Sequence, residues 1–359
     1  MRVVVAMSGG VDSSAAAALL HEQGHEVIGV SLRLARTGRP SAPGRCCSPD
    51  DLEDARAVAN ALGIPFYVFE ATDLFEEKVV RPFVDSYLDG ETPLPCAACN
   101  REVKFGHLLA RARALGAKLA TGHYARIEGD GPYRLLRGVD ATRDQGYFLY
   151  ELKQAELAEL VFPVGGLTKA ETRAIARRAG LSTADKAESQ DLCFIPDGHT
   201  AAFVARVAAK AGRPPAPGRI VDREGRTLGT HAGLHAYTVG QRKGLPQAPA
   251  AAGGMRLPLY VEALRPEHNE VVVGPAADLS RSTFAAARAS WVAGHPPPED
   301  EILTVRIRHR HEGTRCTVRA VGDRFEVHTL EPVRAPAPGQ AAVVYRGDEI
   351  LGGGIIRRS

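Results

Sequence analysis

Residues 3–14 read VVVAMSGGVDSS, and this stretch decides the fold of the chain. The apolar run Val3–Ala6 predicts a buried strand, and the alanine-rich segment from Ser13 onward predicts a helix. Between them, Gly9 and Gly10 allow a tight turn whose N–H groups can approach an anion. The helix start adds unpaired donors and the positive end of its dipole. We therefore expect an oxyanion, as part of a nucleotide, to bind at this turn.

The glycine pair fits neither of two common phosphate motifs. No Gly-Lys-Ser/Thr follows, as a Walker loop requires, and the third glycine of the dinucleotide fingerprint is missing. Ser8–Ser13 instead resembles the pyrophosphate loop of enzymes that cleave ATP between its α and β phosphates and leave AMP on an oxygen of the substrate. The alternative is a turn that binds nothing, but ligands of α/β proteins gather at the carboxyl ends of strands, which favours nucleotide binding.

Length and composition bound the kind of protein. The chain has 359 residues, enough for two or three domains, and the ordinary composition of a globular enzyme. No secretory signal or apolar run of membrane-spanning length is evident, so we expect a cytoplasmic protein without a membrane partner. A net charge of +3 does not by itself indicate nucleic-acid binding. Structural disulfides are not expected in a reducing compartment. Cys46 and Cys47 are expected in a loop and Cys316 in the core.

The first half of the chain alternates apolar runs with helical patterns, which predicts a Rossmann-like parallel sheet with helices on both faces. The expected strands are Arg2–Met7, Glu26–Leu32, Pro65–Phe69 and Lys118–Thr121. The expected helices are Ser13–Gln23, Asp50–Leu62, Leu74–Tyr87, Val103–Leu115 and Thr168–Ala179. The last helix opens with a capping box formed by Thr168 and Glu171. This half is typical of a nucleotide-binding α/β domain.

The sequence predicts three domains. A proline-rich break at residues 213–218 ends the helical pattern, and short strands between Gly and Pro turns follow it. A second break at residues 265–269 precedes a β-like alternation that continues to the end. We therefore expect an α/β catalytic domain with the pyrophosphate loop over 1–205, a small, mostly β central domain over 206–277, and a β-barrel domain over 278–359.

Further motifs follow one another along the whole chain. They are Cys46–Ser48, Pro95–Asn100, Ala120–Ala125, Asp144–Leu149, Lys186–Ile195, His235–Leu245, Pro338–Tyr345 and Gly352–Gly354. Together with the loop they resemble the motifs of the bacterial tRNA-specific 2-thiouridylases. The resemblance implies a cytoplasmic enzyme that uses ATP to replace the C2 oxygen of the wobble uridine, at anticodon position 34 of tRNA, with sulfur. It also implies that the barrel domain binds tRNA.

The resemblance implies an ATP site built on the loop. Its expected residues are Ala6, Met7, Ser8, Gly9, Gly10, Val11, Asp12, Ser13, Leu32 and Gly122. A uridine carbonyl oxygen is a poor leaving group, so adenylation must first turn it into an ester that can depart. Asp12 is expected to place a Mg²⁺ that offsets the phosphate charge. The alternatives are a carboxylate that only balances the helix dipole, for Asp12, and simple core packing, for Leu32.

The resemblance also implies two catalytic thiols, Cys99 and Cys193. Cys193 would carry a persulfide whose terminal sulfur attacks C2, and Cys99 would release this sulfur by forming a disulfide with Cys193. Because a thiol reacts as the thiolate, each is expected near positive charge or a helix N-terminus. A cysteine desulfurase, a sulfur relay protein or free sulfide would supply the sulfur. The alternative for each cysteine is a buried, inert side chain.

Cys96 opens a second chemical route. The position three before Cys99 is often an aspartate in the family, and here Cys96 forms a Cys-x-x-Cys pair with Cys99. Cys96, Cys99 and Cys193 together would suit a [4Fe–4S] cluster that leaves one iron open to exogenous sulfide. The sequence leaves both the persulfide and the cluster open.

A basic stretch near the end of the chain is expected to contact RNA phosphate. Residues 305–311 alternate with period two, which on a strand would place Arg306, Arg308 and Arg310 on one face. His309 would then point towards the apolar side unless a turn or bulge interrupts the strand. The alternative for the arginines is a solvated outer face of a barrel strand.

The resemblance assigns further tRNA contacts. The full set is His123, Arg143, Asp144, Gln145, Arg308, His309 and Gln340. His123 and Tyr124 are candidates for stacking on a base taken out of its stack, and the alternative for Tyr124 is a tyrosine of the core. Two other functions stay open: an amide-forming synthetase with the same loop, which would need neither paired cysteines nor an RNA surface, and a thiol carrier or RNA-binding protein whose loop is vestigial.

Overall fold

The computed structural model describes residues 1–34, 49–187, 192–195, 198–246 and 258–358. Cys46 and Cys47, which we expected in a loop, lie outside the described residues, as do residues 188–191 of the motif that contains Cys193.

Helices and strands alternate in the first part of the chain, and strands dominate the rest. The strands are β1 (Arg2–Ala6), β2 (Glu26–Arg33), β3 (Phe66–Glu70), β4 (Lys118–Thr121), β5 (Ala125–Glu128), β6 (Arg134–Arg137), β7 (Leu160–Val161), β8 (Gly218–Val221), β9 (Thr227–His231), β10 (Tyr260–Arg265), β11 (Glu270–Gly274), β12 (Ser280–Trp291), β13 (Leu303–Arg306), β14 (Thr314–Val321), β15 (Arg324–Arg334), β16 (Ala341–Arg346) and β17 (Glu349–Ile356). The α-helices are α1 (Val11–Glu22), α2 (Pro49–Leu62), α3 (Thr72–Phe75), α4 (Arg81–Leu88), α5 (Pro95–Ala98), α6 (Leu109–Ala114), α7 (Gln154–Leu157), α8 (Lys169–Arg178) and α9 (Thr200–Lys210).

A parallel sheet with strand order β3-β2-β1-β4-β7 forms the first domain and confirms the predicted α/β fold. Successive residues of the central strand β1 point to opposite faces. Val4 packs into one core with Phe83, whereas Val3 and Val5 pack into another beneath the alanines of α1. Both faces of the sheet are therefore buried, as parallel sheets require.

The helix that we expected over residues 103–115 begins earlier, at Pro95. A π-helical stretch, Cys99–Leu108, joins α5 to α6 without a break. Proline suits the first position of a helix because its missing N–H would be unpaired there in any case. Cys99 thus lies at the junction between α5 and the π-helical stretch, and such stretches are frequent at functional sites.

The remaining strands form two further sheets. One has the order β10-β11-β8-β9. The other has the order β12-β15-β14-β13-β16-β17 and closes into a barrel because β12 also pairs with β17. Both confirm the predicted architecture. Cys316 lies on β14 and is fully buried, as expected, and burial raises the pKa of its thiol to about 12.

The barrel is joined to the first domain. The hairpin β5–β6, which follows β4, extends the barrel sheet through the pair Leu136 and Glu349. The hydroxyl of Tyr147 donates to the carbonyl oxygen of Ala341 at 2.8 Å. The predicted boundary between residues 205 and 206 falls inside α9. Within the described ranges, no helix is long and apolar enough to cross a membrane.

Candidate active site

The predicted phosphate loop connects β1 to α1 at the carboxyl edge of the parallel sheet. Gly9 has φ +71°, and a Cβ at this position would lie 2.2 Å from the carbonyl oxygen of Asp51. The hydroxyl of Ser13 accepts a hydrogen bond from the N–H of Ser8 (3.1 Å) and donates one to the carbonyl oxygen of Gly10 (3.1 Å). Only glycine therefore fits at position 9, and Ser13 fixes the loop from inside.

The other predicted ATP residues lie around the same edge of the sheet. Gly122 follows β4, and a Cβ there would lie 2.6 Å from the backbone nitrogen of Ser13. Leu32 is 8% exposed and packs into the core on one face of the sheet, which favours core packing for its side chain. Met7 and Val11 are buried, and Ala6 is half-buried. Their contact with ATP stays a prediction.

Two lysines that were not among the predicted site residues contact the loop. The ammonium of Lys169 donates to both carboxylate oxygens of Asp12, at 2.8 and 3.0 Å. The ammonium of Lys186 donates to Asp51 at 2.7 Å and to the carbonyl oxygen of Gly9 at 3.0 Å. Both positive charges therefore lie beside the place where we expect an oxyanion.

The position of Lys169 in its helix is a signal that the sequence itself provides. Lys169 is the first residue of α8, where a cation opposes the helix dipole, so its unfavourable position is a signal of a special partner.

Burial alone would lower the pKa of Lys186, but hydrogen bonds to Asp51 and Asp54 outweigh burial and raise this pKa above its ordinary value. The Lys186 ammonium therefore stays charged.

The carboxylates around the loop fit a Mg²⁺ that is bound mainly through phosphate. In the part of the chain that the structure describes, no cluster of three or more His, Cys, Asp or Glu side chains could hold a metal by itself. A nucleotide-bound Mg²⁺ needs only one or two carboxylates beside the phosphate oxygens. Both oxygens of Asp12 are engaged by Lys169 here, so a Mg²⁺ at Asp12 requires Lys169 to turn towards the phosphates.

The two predicted catalytic thiols border the same hydrophobic cluster, which extends from the sheet of the first domain to the barrel strands β16 and β17. Cys99 and Cys193 are both half-buried, and both pack against the hydrophobic cluster that contains Phe83. Phe194, the neighbour of Cys193, meets the ring of Phe83 edge to face, with centroids 5.1 Å apart. Asn100 anchors the Cys99 helix, since its buried amide donates to the carbonyl oxygen of Phe148 at 3.0 Å.

Cys96 is placed differently from the other two cysteines. Its side chain is exposed, whereas those of Cys99 and Cys193 are half-buried. Among the side chains that the structure describes, which include Cys96, Cys99 and Cys193, no three His, Cys, Asp or Glu groups lie together as a metal site. An Fe–S cluster needs converging thiolates. The three cysteines do not fit a [4Fe–4S] cluster in this arrangement.

His123 and Tyr124 are both buried in this structure, and their stacking on a base stays a prediction. His123 is 8% exposed, and its ring packs against those of Phe105 and Phe162 at a centroid distance of 5.9 Å from each. Tyr124 is 1% exposed, and its hydroxyl donates to Asp12 at 2.8 Å. Tyr124 therefore supports the loop through its hydrogen bond to Asp12. The contact of His123 with tRNA stays a prediction.

Buried histidines give the stability a defined pH dependence. Burial lowers the pKa of His123 well below its ordinary value, with the nearby Lys104 adding to the effect. Burial also lowers the pKa of His231, His235 and His311. The unfolded chain therefore binds more protons than the folded chain just below the ordinary histidine pKa, and stability must fall as the pH falls. We expect the melting temperature to decrease from about pH 7.5 to about pH 6, where histidine titrates.

The control for this pH effect is His123→Gln. Differential scanning fluorimetry should show a shallower pH slope for this variant than for the wild-type chain, whatever its melting temperature at neutral pH. A melting temperature that rises on acidification would contradict the argument.

The predicted tRNA contacts of two domains meet at Asp144. The imidazole Nε2 of His309, from the barrel, lies 3.0 Å from the carbonyl oxygen of Asp144. The buried carboxylate of Asp144 accepts hydrogen bonds from Arg137 at 3.0 Å and from Arg306 at 3.1 Å. Asp144 therefore joins the two domains through its side chain. Arg143, next to it, is exposed.

The predicted row of three barrel arginines is wrong. Strand β13 ends at Arg306, and residues 307–310 form a bend and a turn. This agrees with the expectation that a turn or bulge interrupts the strand near His309. Arg306 is 9% exposed, because its guanidinium binds Asp144 and the carbonyl oxygen of His311 (2.7 Å). Arg308 and Arg310 remain exposed and available to phosphate.

The two remaining predicted contacts engage the backbone of the first domain. The side-chain oxygen of Gln145 accepts from the N–H of Tyr124 at 3.3 Å. The side-chain amide of Gln340, in the barrel, donates to the carbonyl oxygen of Thr92 at 2.9 Å. Gln340 thus lies beside the segment that leads to Cys96 and Cys99.

Three family profiles cover the chain in order. They are the tRNA methyl transferase HUP domain at residues 1–197, the tRNA methyl transferase PRC-barrel domain at residues 207–275 and the aminomethyltransferase beta-barrel domain at residues 281–356.

Curated relatives match the chain from end to end. The tRNA-specific 2-thiouridylase MnmA of Geobacter metallireducens is 48% identical over 364 residues, which cover 99% of this chain and 96% of the relative. That of Moorella thermoacetica is 48% identical over 360 residues, which cover 98% of each chain. Among solved structures, a 4-thiouridine synthetase in complex with RNA and ATP has a TM-score of 0.35 at 17% identity and covers 55% of this chain and 45% of its own, too weak a likeness to carry an argument. On its full-length relatives, the chain belongs to the tRNA-specific 2-thiouridylase family.

Proposed function

We propose that this protein thiolates C2 of the wobble uridine of tRNA, at anticodon position 34, after ATP has adenylated the C2 oxygen. The observation that carries the proposal is one α/β domain that combines a glycine loop contacted by two lysines with two cysteines on a single core. An amide-forming synthetase would use such a loop but has no need of the thiols. Membership of the family supplies tRNA as the substrate.

In the first step, the C2 oxygen would attack the α-phosphorus of ATP, and pyrophosphate would leave with the electron pair of the bond that breaks. The N–H groups of the loop would receive the leaving pyrophosphate. Lys169 and Lys186 would stabilise its charge, since their ammonium groups already lie at the loop. A Mg²⁺ held by Asp12 and the phosphates would shield the remaining charge.

In the second step, the terminal sulfur of a persulfide on Cys193 would attack C2, and AMP would leave with the electron pair of the C2–O bond. The thiolate of Cys99 would then attack the inner sulfur, which breaks the S–S bond and releases 2-thiouridine. A Cys99–Cys193 disulfide would remain. After a dithiol reductant has reduced this disulfide, a cysteine desulfurase or a sulfur relay protein would transfer sulfane sulfur from its own persulfide to the Cys193 thiolate. Free sulfide would instead attack the Cys193 sulfur of the disulfide, which expels the Cys99 thiolate and leaves the persulfide on Cys193.

The experiment that tests this function uses unmodified tRNA, ATP, Mg²⁺ and a sulfide source, followed by nucleoside mass spectrometry. The expected product is 2-thiouridine at position 34, with AMP and pyrophosphate formed in equal amounts. Asp12→Ala is the nucleotide control and should form none. Thiolation by Asp12→Ala at the wild-type rate, or thiolation without ATP, would contradict the adenylation step.

Replacing Cys96 with alanine is expected to leave thiolation within about twofold of wild type, because an exposed side chain outside the reaction contributes little. The exposed position of Cys96 supports the persulfide route over the cluster. The measurement is the thiolation rate of anaerobically purified Cys96→Ala, together with its iron and sulfide content. Iron-dependent activity that disappears in this variant would restore the cluster as the sulfur carrier.

A further inference from the structure

Three domains meet at Thr92. Its backbone N–H donates to the carbonyl oxygen of Pro338 at 2.7 Å, and its carbonyl oxygen accepts from the side-chain amide of Gln340 at 2.9 Å. Both partners belong to the barrel. The hydroxyl of Thr92 lies 3.3 Å from the hydroxyl of Thr238, which belongs to the central domain. We call Thr92, Thr238 and Pro338–Gln340 the Thr92 junction.

The Thr92 junction is tightly packed. Gly339 has φ +90°, and a Cβ there would lie 2.8 Å from the backbone nitrogen of Thr92 and 2.9 Å from the Cβ of Glu91. Gly240 has φ +89°, and a Cβ there would lie 2.9 Å from the Cβ of Ala335. The central domain therefore also packs closely against the barrel. No side chain larger than hydrogen fits at position 339 without separating the barrel from the segment that precedes α5.

The junction is connected to Cys99 by a short stretch of chain. Only Pro93 and Leu94 separate Thr92 from Pro95, the first residue of α5, and Cys99 follows at the end of that helix. Two linking residues span less than about 11 Å and, with two prolines nearby, have little backbone freedom. On the other side, the N–H of Glu91 donates to the carbonyl oxygen of Ser86 in α4 at 2.8 Å. A displacement of Thr92 must therefore move the start of the Cys99 helix.

We propose that the Thr92 junction positions Cys99 for sulfur transfer, so that the barrel and the central domain set the geometry of the thiol step. Thr92, Thr238 and Gln340 are positioning residues in this proposal, because they act through the helix that carries Cys99. The proposal rests on the thiolation function above and extends it. It also gives Gln340, expected from the sequence as a tRNA contact, a role inside the protein.

The first test removes single hydrogen bonds. Gln340→Met keeps the length of the side chain but loses the N–H group that donates to the carbonyl oxygen of Thr92. We expect it to lower kcat for thiolation by about tenfold or more, since a small misplacement of a reacting group has large kinetic effects. KM for tRNA should change by less than about threefold, because the variant misplaces a reacting group and does not remove a contact that binds tRNA. A raised KM with unchanged kcat would make Gln340 an RNA contact only and would overturn the proposal.

Thr92→Val and Thr238→Val remove the same hydrogen bond from its two ends. If the bond positions Cys99, both should lower kcat to a similar extent, and the double variant should be no worse than either single one. Additive effects would show that the two hydroxyls act separately, which contradicts the junction.

The second test separates the segments physically. Gly339→Ala would push Thr92 away from the barrel, whereas Gly347→Ala, also in the barrel and also at a positive φ of +59°, would meet nothing within 4 Å. The readout is the rate at which iodoacetamide alkylates Cys99, followed by peptide mass spectrometry, which needs neither tRNA nor ATP. Gly339→Ala should change this rate by more than about threefold relative to Gly347→Ala, because thiol reactivity follows its surroundings.

Equal rates for Gly339→Ala and Gly347→Ala would overturn the proposal even if the wild-type chain thiolates tRNA. Failure of the wild-type chain to thiolate would instead remove the proposed function, and the alkylation result would still report on the junction. If Gly339→Ala does not fold, Gln340→Met and the two valine variants decide.

Discussion

Cys193→Ser is expected to lower the rate of tRNA thiolation by more than about a thousandfold, as removal of an enzymatic nucleophile does. A serine hydroxyl cannot carry the persulfide sulfur, so the activated uridine would find no sulfur to attack it. Nucleoside mass spectrometry of 2-thiouridine gives the rate. The matched control is Cys96→Ser, the same change at the exposed cysteine, which should stay within about twofold of wild type. Thiolation by Cys193→Ser above about a tenth of the wild-type rate would exclude Cys193 as the sulfur carrier.

Cys99→Ser should fail at a different point. The persulfide of Cys193 would still attack C2, but no second thiol would break the S–S bond, so tRNA would stay attached to Cys193 through a disulfide. Without added reductant, this species should appear as a covalent enzyme–tRNA adduct on a denaturing gel, and dithiothreitol should release 2-thiouridine from it. Cys193→Ser should form no adduct. An adduct in both variants, or in neither, would contradict the assigned order of the two cysteines.

The parallel sheet was predictable because its signals are local. A strand of valines, a glycine turn and an alanine-rich helix follow one another within residues 3–22, and each signal has its own physical cause. The predicted capping box also forms, since the Thr168 hydroxyl accepts from the N–H of Glu171 at 3.3 Å. The hairpin β5–β6 was not predicted, because its membership of the barrel depends on β17, which lies far along the chain.

The candidate site was only partly predictable for the same reason. The phosphate loop is contiguous, but its partners Lys169 and Lys186 come from distant segments, and nothing near Lys169 in the sequence names Asp12 as its partner. Period-two alternation placed Arg306 on a solvent-facing row. The alternation does not reveal that Arg306 is buried in an ion pair with the carboxylate of Asp144. Alternation reports which side chains are apolar, whereas buried ion pairs depend on contacts between domains.

Gly122 provides the sharpest test of the nucleotide half of the reaction. A Cβ on Gly122 would lie 2.6 Å from the backbone nitrogen of Ser13 and 2.7 Å from the carbonyl carbon of Asp12. These atoms are backbone, so they cannot turn aside as a flexible side chain would. Gly122→Ala must therefore move the first turn of α1, where we propose that the loop N–H groups bind phosphate.

We expect Gly122→Ala to weaken ATP binding by about tenfold or more, which corresponds to about 1.4 kcal/mol of binding free energy. The thiolation rate at subsaturating ATP should fall at least as far. Isothermal titration with a non-hydrolysable ATP analogue measures the affinity. The matched control is Gly166→Ala, where φ also lies outside the left-handed region and the new Cβ would meet nothing within 4 Å.

The tRNA affinity of Gly122→Ala shows whether the variant is folded, because we expect tRNA to contact the exposed arginines of the barrel, which lie outside the phosphate loop. That affinity should match the value for Gly166→Ala. If Gly122→Ala binds tRNA normally and still binds the ATP analogue as tightly as Gly166→Ala does, the phosphate of ATP does not lie on the first turn of α1. The loop at residues 8–13 would then be a structural turn, and the adenylation step would have to be placed elsewhere in the protein.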